Sequence, residues 1–296
     1  MRLSGASWSF VGTSLSEAAA IYHTLGIEAV DLIAIPGDTL ASEDIIADPV
    51  GQARQISRLG VPIANLLFNY SPNFSDRALN HRNPRIRRQN SEEFHAVAEF
   101  CRLCSIPSVT VLPGVMQEGW SPERCLAVSA EALNELAGTA TGQGVQLTFE
   151  AHVGSILESP LHTLEFLEAN PSLQLTLDYS HFVFNGYARE YIDPLAAFCG
   201  HVHLRQGAPK VLQARWDQGT IDFPGVISNL QAAGYRGYLG LEYEHDSWLD
   251  LDRVDVMTET IKMRNLVLPL IATPEGRGSQ PIGGSLAHGQ SNRAIG

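Results

Sequence analysis

Four stretches decide how this chain folds: VQLTFE (145–150), LQLTLD (173–178), GHVHLR (200–205) and YLGLEYE (238–244). Each is a short apolar or β-branched run that carries an ionisable residue at or near its end: Glu150, Asp178, His203 and Glu242. Runs this short and this apolar read as strands buried on both faces, as in a parallel sheet. Outward from them, similar runs recur near 3–8, 28–34, 62–68 and 107–112. Amphipathic patterns that predict helices alternate with the strands, near 15–25, 48–59, 88–104, 122–138, 160–169, 191–198, 222–233 and 252–270. Strands alternating with helices imply right-handed βαβ units. Eight such units in about 270 residues predict an α/β fold, a closed (β/α)8 TIM barrel forming a single domain over 1–271. No Gly-x-Gly-x-x-Gly follows the first run, which argues against an open dinucleotide-binding sheet.

The remainder bounds the function. Residues 272–296 are rich in Gly, Ser, Pro, Gln and Asn and poor in aliphatics, and read as a disordered, flexible tail. The net charge is −12, with only two lysines, a poor match to the cationic surface that nucleic acid requires. There is no signal-peptide pattern and no apolar run long enough to span a membrane, so a cytoplasmic protein is expected. Cys101, Cys104, Cys125 and Cys199 lack a second CxxC to complete a zinc site and read as free thiols. Long connections at 69–84 and 179–190 follow strands, where barrel loops shape the pocket.

In a (β/α)8 barrel the C-terminal strand ends hold the active site. Glu150, Asp178, His203 and Glu242 occupy that position on four consecutive strands. Three carboxylates brought together repel one another unless a cation sits among them or some take up protons. Oxygen ligands with one imidazole suit Mn²⁺ first, with Mg²⁺, Co²⁺ or Zn²⁺ as alternatives. His201 shares a strand face with His203 but lies a layer deeper, where a packed, hydrogen-bonded histidine is expected. His152, just beyond Glu150, and Arg205, in phase with His203, are candidate substrate contacts; the alternative for Arg205 is a salt bridge to a pocket carboxylate. Trp8 either stacks on a sugar face or packs in the core. His81 and Arg82 on the third loop, Arg215, Trp216, Tyr187, His245 and Trp248 are weaker candidates for the rim. Glu158 reads as a residue just before a helix, near its dipole.

The motifs FEAH (149–152), LDYSH (177–181), GHVHLRQ (200–206), GTIDFPGVISNL (219–230) and GYLGLEYE (237–244) resemble, in this order and spacing, the xylose isomerase-like superfamily. That group includes inosose isomerases, ketose 3-epimerases, hydroxypyruvate isomerases, 2-keto-inositol dehydratases and endonuclease IV. The resemblance implies that Glu150, Asp178, His203 and Glu242 are metal ligands. It also implies that His181, from the Asp-x-x-His pattern, touches substrate or bound water.

The activity so implied is isomerisation or epimerisation of a small sugar or polyol, by proton transfer next to a carbonyl through a metal-stabilised enediolate. Glu150 and Glu242 would serve as acid and base. Elimination by the same proton removal, as in a dehydratase or a C-glycoside deglycosidase, is the alternative. A nuclease is disfavoured by charge, and a non-catalytic sugar-binding subunit by the intact ligand set. Family barrels are often homo-oligomers, which the resemblance extends to this chain.

Overall fold

A computed structural model describes residues 1–272. The eight strands are β1 (Arg2–Ala6), β2 (Ala29–Ala34), β3 (Ile63–Phe68), β4 (Ser108–Val111), β5 (Gln146–Glu150), β6 (Gln174–Asp178), β7 (Cys199–Leu204) and β8 (Tyr238–Leu241). They pair in sequence order, all parallel, and β8 closes on β1. The fold is therefore the (β/α)8 barrel. Every residue of β3 is buried, as a strand lined by barrel interior on one side and helices on the other requires.

The helices are α1 (Leu15–Thr24), α2 (Ser42–Ala47), α3 (Pro49–Ile56), α4 (Pro84–Leu103), α5 (Pro122–Gly142), α6 (Pro160–Ala169), α7 (Tyr179–Phe184), α8 (Arg189–Ile192), α9 (Phe223–Ala232) and α10 (Val256–Ile271). Local chemistry sets several of the starts. Asn83, Ser121 and Ser159 each accept a hydrogen bond from a first-turn N–H, and proline opens the helix that follows. This arrangement starts α4 at Pro84 rather than near 88. The helix expected over 191–198 is instead α8 followed by a 3₁₀ segment, Asp193–Phe198. Two six-residue helices, α2 and α7, are too short to show a period and were not anticipated.

Inward-facing side chains are layered. Thr110, Thr148 and Thr176 hydrogen-bond one another at 2.8–2.9 Å, and Asn65 Nδ2 donates to Thr110 at 2.8 Å. Two residues further along β5 and β6, on the same face, stand Glu150 and Asp178. Pairing of Asp178 with His203 and of His203 with Gly240 continues that upper layer around to β8. The four cysteines are free, and no described helix is long and apolar enough to cross a membrane. Most of the tail expected over 272–296, from residue 273 on, lies outside the described residues.

Candidate metal centre at the barrel mouth

The upper layer gathers three of the four strand-end residues. His203 Nδ1 lies 2.8 Å from Glu150 Oε1 and 3.2 Å from Glu242 Oε2. Each of the three is at most 2% exposed. One donor atom from each falls within 4.8 Å of the other two. Nδ1 can donate only one proton, and Glu150 receives it. Among the described residues Glu242 Oε2 has no hydrogen-bond partner despite full burial, a costly state for a carboxylate oxygen. Two carboxylates, one imidazole and an orphaned oxygen make a donor set that suits a divalent cation.

Burial pushes the Glu150 carboxyl up, but the hydrogen bond and charge of His203 outweigh it and leave Glu150 below the usual range. Burial pulls the His203 imidazole down, yet the charge of Glu242 and the bond to Glu150 hold it well above the ordinary value. The two carboxylates thus favour the protonated form of His203.

Asp178 does not join this group. Its Oδ1 accepts from Ser180 N–H at 2.7 Å and caps α7. Its Oδ2 is 3.0 Å from both Nε and Nη2 of Arg205. The expected meeting of all four strand-end residues is thus a meeting of three, with Arg205 holding the fourth aside. Arg205 also pairs with Glu244 (2.6 Å) and lies 3.4 Å from Glu242. Of its two sequence readings, the structure displays the salt bridge. Glu244, raised by burial to about 7 against the opposing pull of Arg205, was not singled out in sequence, although it is in phase with Glu242.

His181 is buried beside this pair: Nδ1 accepts from Val153 N–H at 3.1 Å and Nε2 lies 2.9 Å from Arg205 Nη2. Burial, with the nearby His152 and Arg205 charges, drives its pKa well below the ordinary value. His152 is partly exposed above it, ring centroids 4.3 Å apart. Trp248 stacks on His152 at 5.1 Å, and Phe74, from the 69–84 loop, meets its edge at 5.1 Å. Phe74 gave no signal in the sequence beyond its place on a long loop. Trp8 lies two residues past the end of β1, edge-on to His203 at 6.2 Å.

The weaker candidates go elsewhere. His81 and Arg82 are tied to Asn83 N–H and the Glu118 carbonyl. Arg215 pairs with Asp217, and Trp216 stacks on Phe223. Tyr187 packs against the core, and His245 borders a groove that also contains Trp8. Glu158 accepts from Gly154 N–H at 2.6 Å. His201 is the packed histidine expected, donating to Asp31 at 3.0 Å. Asp31 was overlooked; the signal was a lone charge inside the apolar strand AVDLIA (29–34).

Comparison with known proteins places the fold. The profile described as a xylose isomerase-like TIM barrel matches residues 19–266. The chain belongs to the xylose isomerase-like TIM barrel family. Within the family, similarity to an inosose dehydratase of Clostridium perfringens is 28% identity over 138 residues, 40% of this chain and 46% of that one. The chain spans about half the length of the curated relatives it matches, between 41% and 57%. Two solved family structures share the fold. The 3-keto-D-glucoside 4-epimerase of E. coli superposes with a TM-score of 0.68 at 14% identity, covering 90% of this chain and 99% of that one. The IOLI protein with a binding zinc atom gives 0.69 at 17% identity, covering 90% and 97%.

Proposed function

We propose that this chain is a divalent-metal-dependent isomerase or epimerase of a small sugar or polyol, moving a proton next to a carbonyl. The observation that carries this reading is the facing of Glu150 and Glu242 across His203 Nδ1, with a buried carboxylate oxygen left unpartnered. Glu150, His203 and Glu242 would hold the cation, Mn²⁺ being best matched to two carboxylates and one imidazole. Asp178 would join them once Arg205 releases it. A bound cation would supply Lewis-acid polarisation of the substrate carbonyl.

The rest falls to the chain's own groups. Glu150 and Glu242 approach from β5 and from the residue following β8, on opposite sides of His203. One carboxylate removes the proton beside the carbonyl, and either one returns it. Return to the neighbouring carbon gives isomerisation, and return to the opposite face gives epimerisation. His181, Arg205, His152 and Trp8 surround the three-residue cluster and would contact substrate hydroxyls and the apolar ring face. Burial of Glu150, His203, Glu242, His181 and Arg205 excludes water from them, which strengthens each electrostatic contact.

The experiment is a Mn²⁺-supplemented screen of ketoses, inososes and 3-keto-glycosides in D₂O. Deuterium entering a carbon next to a carbonyl supports the reading; a cation-loaded protein that exchanges none of these substrates counts against it. The similarity to an inosose dehydratase favours one second reading, elimination from a keto-sugar or keto-inositol. It would appear in the same screen as loss of water or of an aglycone.

A further inference from the structure

We infer that Asp31 is a positioning residue that fixes the ring of His203 so that Nδ1 faces Glu150 and Glu242. The inference rests on the proposed cation site and names a part of it that lies one layer deeper.

Asp31 sits in the middle of β2, fully buried. Its carboxylate accepts from His201 Nε2 through Oδ2 at 3.0 Å, and Oδ1 has no partner among the described residues. Such a carboxylate is expensive to keep in a barrel core. Across the barrel, His203 Nε2 is also buried and has no hydrogen-bond partner among the described residues. It lies 3.9 Å from Asp31 Oδ2, the oxygen that His201 also holds. The opposite nitrogen of the same ring is the one that meets Glu150 and Glu242. Asp31, His201 and His203 each place a polar atom within 4.8 Å of the others.

The space between them is kept open by Gly240. This residue pairs with His203 in the β7–β8 register, and a Cβ there would overlap Asp31 Oδ2 and press on His203 Cδ2. An alanine would therefore displace the carboxylate from under the imidazole. An imidazole that ligates through one nitrogen is oriented by the acceptor of its other N–H, and a carboxylate is the strongest such acceptor. His201 holds Asp31 from the side, so β2 and β7 together set the direction of His203.

The test combines two measurements on the full chain. In ¹⁵N-histidine-labelled, Zn²⁺-loaded protein, His203 should show a protonated Nε2 and a metal-bound Nδ1; a proton on Nδ1 would overturn the inference. In calorimetric Mn²⁺ titrations, Asp31→Asn should weaken binding by about 10- to 100-fold, with the melting temperature of the cation-free protein little changed. Binding within about twofold of wild type would overturn it. If the variant fails to fold, the nitrogen spectrum of the wild-type protein decides alone. A wild-type chain that takes up no cation sinks the proposed function as well. A wild-type chain that binds while Asp31→Asn binds equally sinks this inference only.

Discussion

Asp178 Oδ2 lies 3.0 Å from both Nε and Nη2 of Arg205, in a contact where each side chain is 1% exposed. Arg205 therefore holds in the cation-free protein a carboxylate that the strand pattern offers to a metal. The guanidinium and a divalent cation compete for the same negative charge. Replacing Arg205 by Met leaves the buried Asp178 and the half-buried Glu244 without their partner, which should cost the cation-free protein about 3–5 kcal/mol. The same change frees Asp178 for a cation. Thermal melts of Arg205→Met should start lower than wild type without Mn²⁺ and rise further when Mn²⁺ is added. A smaller Mn²⁺-induced rise than in wild type would contradict the competition.

The two glutamates should be separable from the fold. Glu150→Gln and Glu242→Gln keep the side-chain volume but remove the group that carries a proton. Each should lower turnover by about 10²- to 10⁴-fold, and solvent deuterium exchange should fall with it. Circular dichroism should be unchanged. Full turnover in either variant would reassign the acid–base pair.

The shifts at this site predict how stability follows pH without a cation. His203 is held well above its ordinary value. Its contribution is therefore complete below the unfolded pKa of about 6.5 and is lost as pH climbs through the folded value. Glu150 runs the other way: its pKa is lowered, so its contribution is present above about 4.3 and fades in acid. A cation must displace the His203 proton, so its binding strengthens across the range where the proton is lost. Melts at roughly pH 6 and pH 8.5 check this. Cation-free protein should be less stable at the higher pH, and added Mn²⁺ should stabilise it more there. A cation-free barrel that gains stability towards the higher pH would show that Glu150 and Glu242 do not raise the His203 pKa.

Much of this was legible in sequence, for identifiable reasons. Barrel strands are buried on both faces, so each shows as a compact apolar run. The Ser-Pro and Asn-Pro pairs mark helix starts by chemistry rather than by period. Glu150, His203 and Glu242 were readable because polar residues that follow such runs sit at the barrel mouth. Asp31 was not, because its meaning depends on His201, 170 positions away and met only when β2 and β7 face each other across the barrel. A salt bridge from Arg205 to a pocket carboxylate was one of its two readings, but naming Asp178 as the partner needs the β6–β7 register that sets Asp178 beside His203. The six-residue helices α2 and α7 carry too few residues to show a 3.6-residue period.

Above the charged layer, Trp248 stacks on His152 with an interplanar angle of 19°, and Phe74 closes on the same ring from the 69–84 loop. These three aromatics come from different connections, so they form a roof that owes little to the barrel's own stability. Trp248 is 39% exposed, and the two residues after it, Leu249 and Asp250, adopt positive φ of 49° and 61°, a conformation that non-glycine residues disfavour. A strained segment with an exposed aromatic gains from a flat partner. The apolar face of a sugar ring beneath the roof would provide one. Trp248→Ala should therefore change the melting temperature little, since it empties no packed core. It should raise KM by about 3- to 10-fold, the equivalent of the roughly 0.5–1.5 kcal/mol of one aromatic contact, while kcat stays near wild type. A loss confined to kcat would instead place Trp248 in the chemistry and remove the roof from substrate binding.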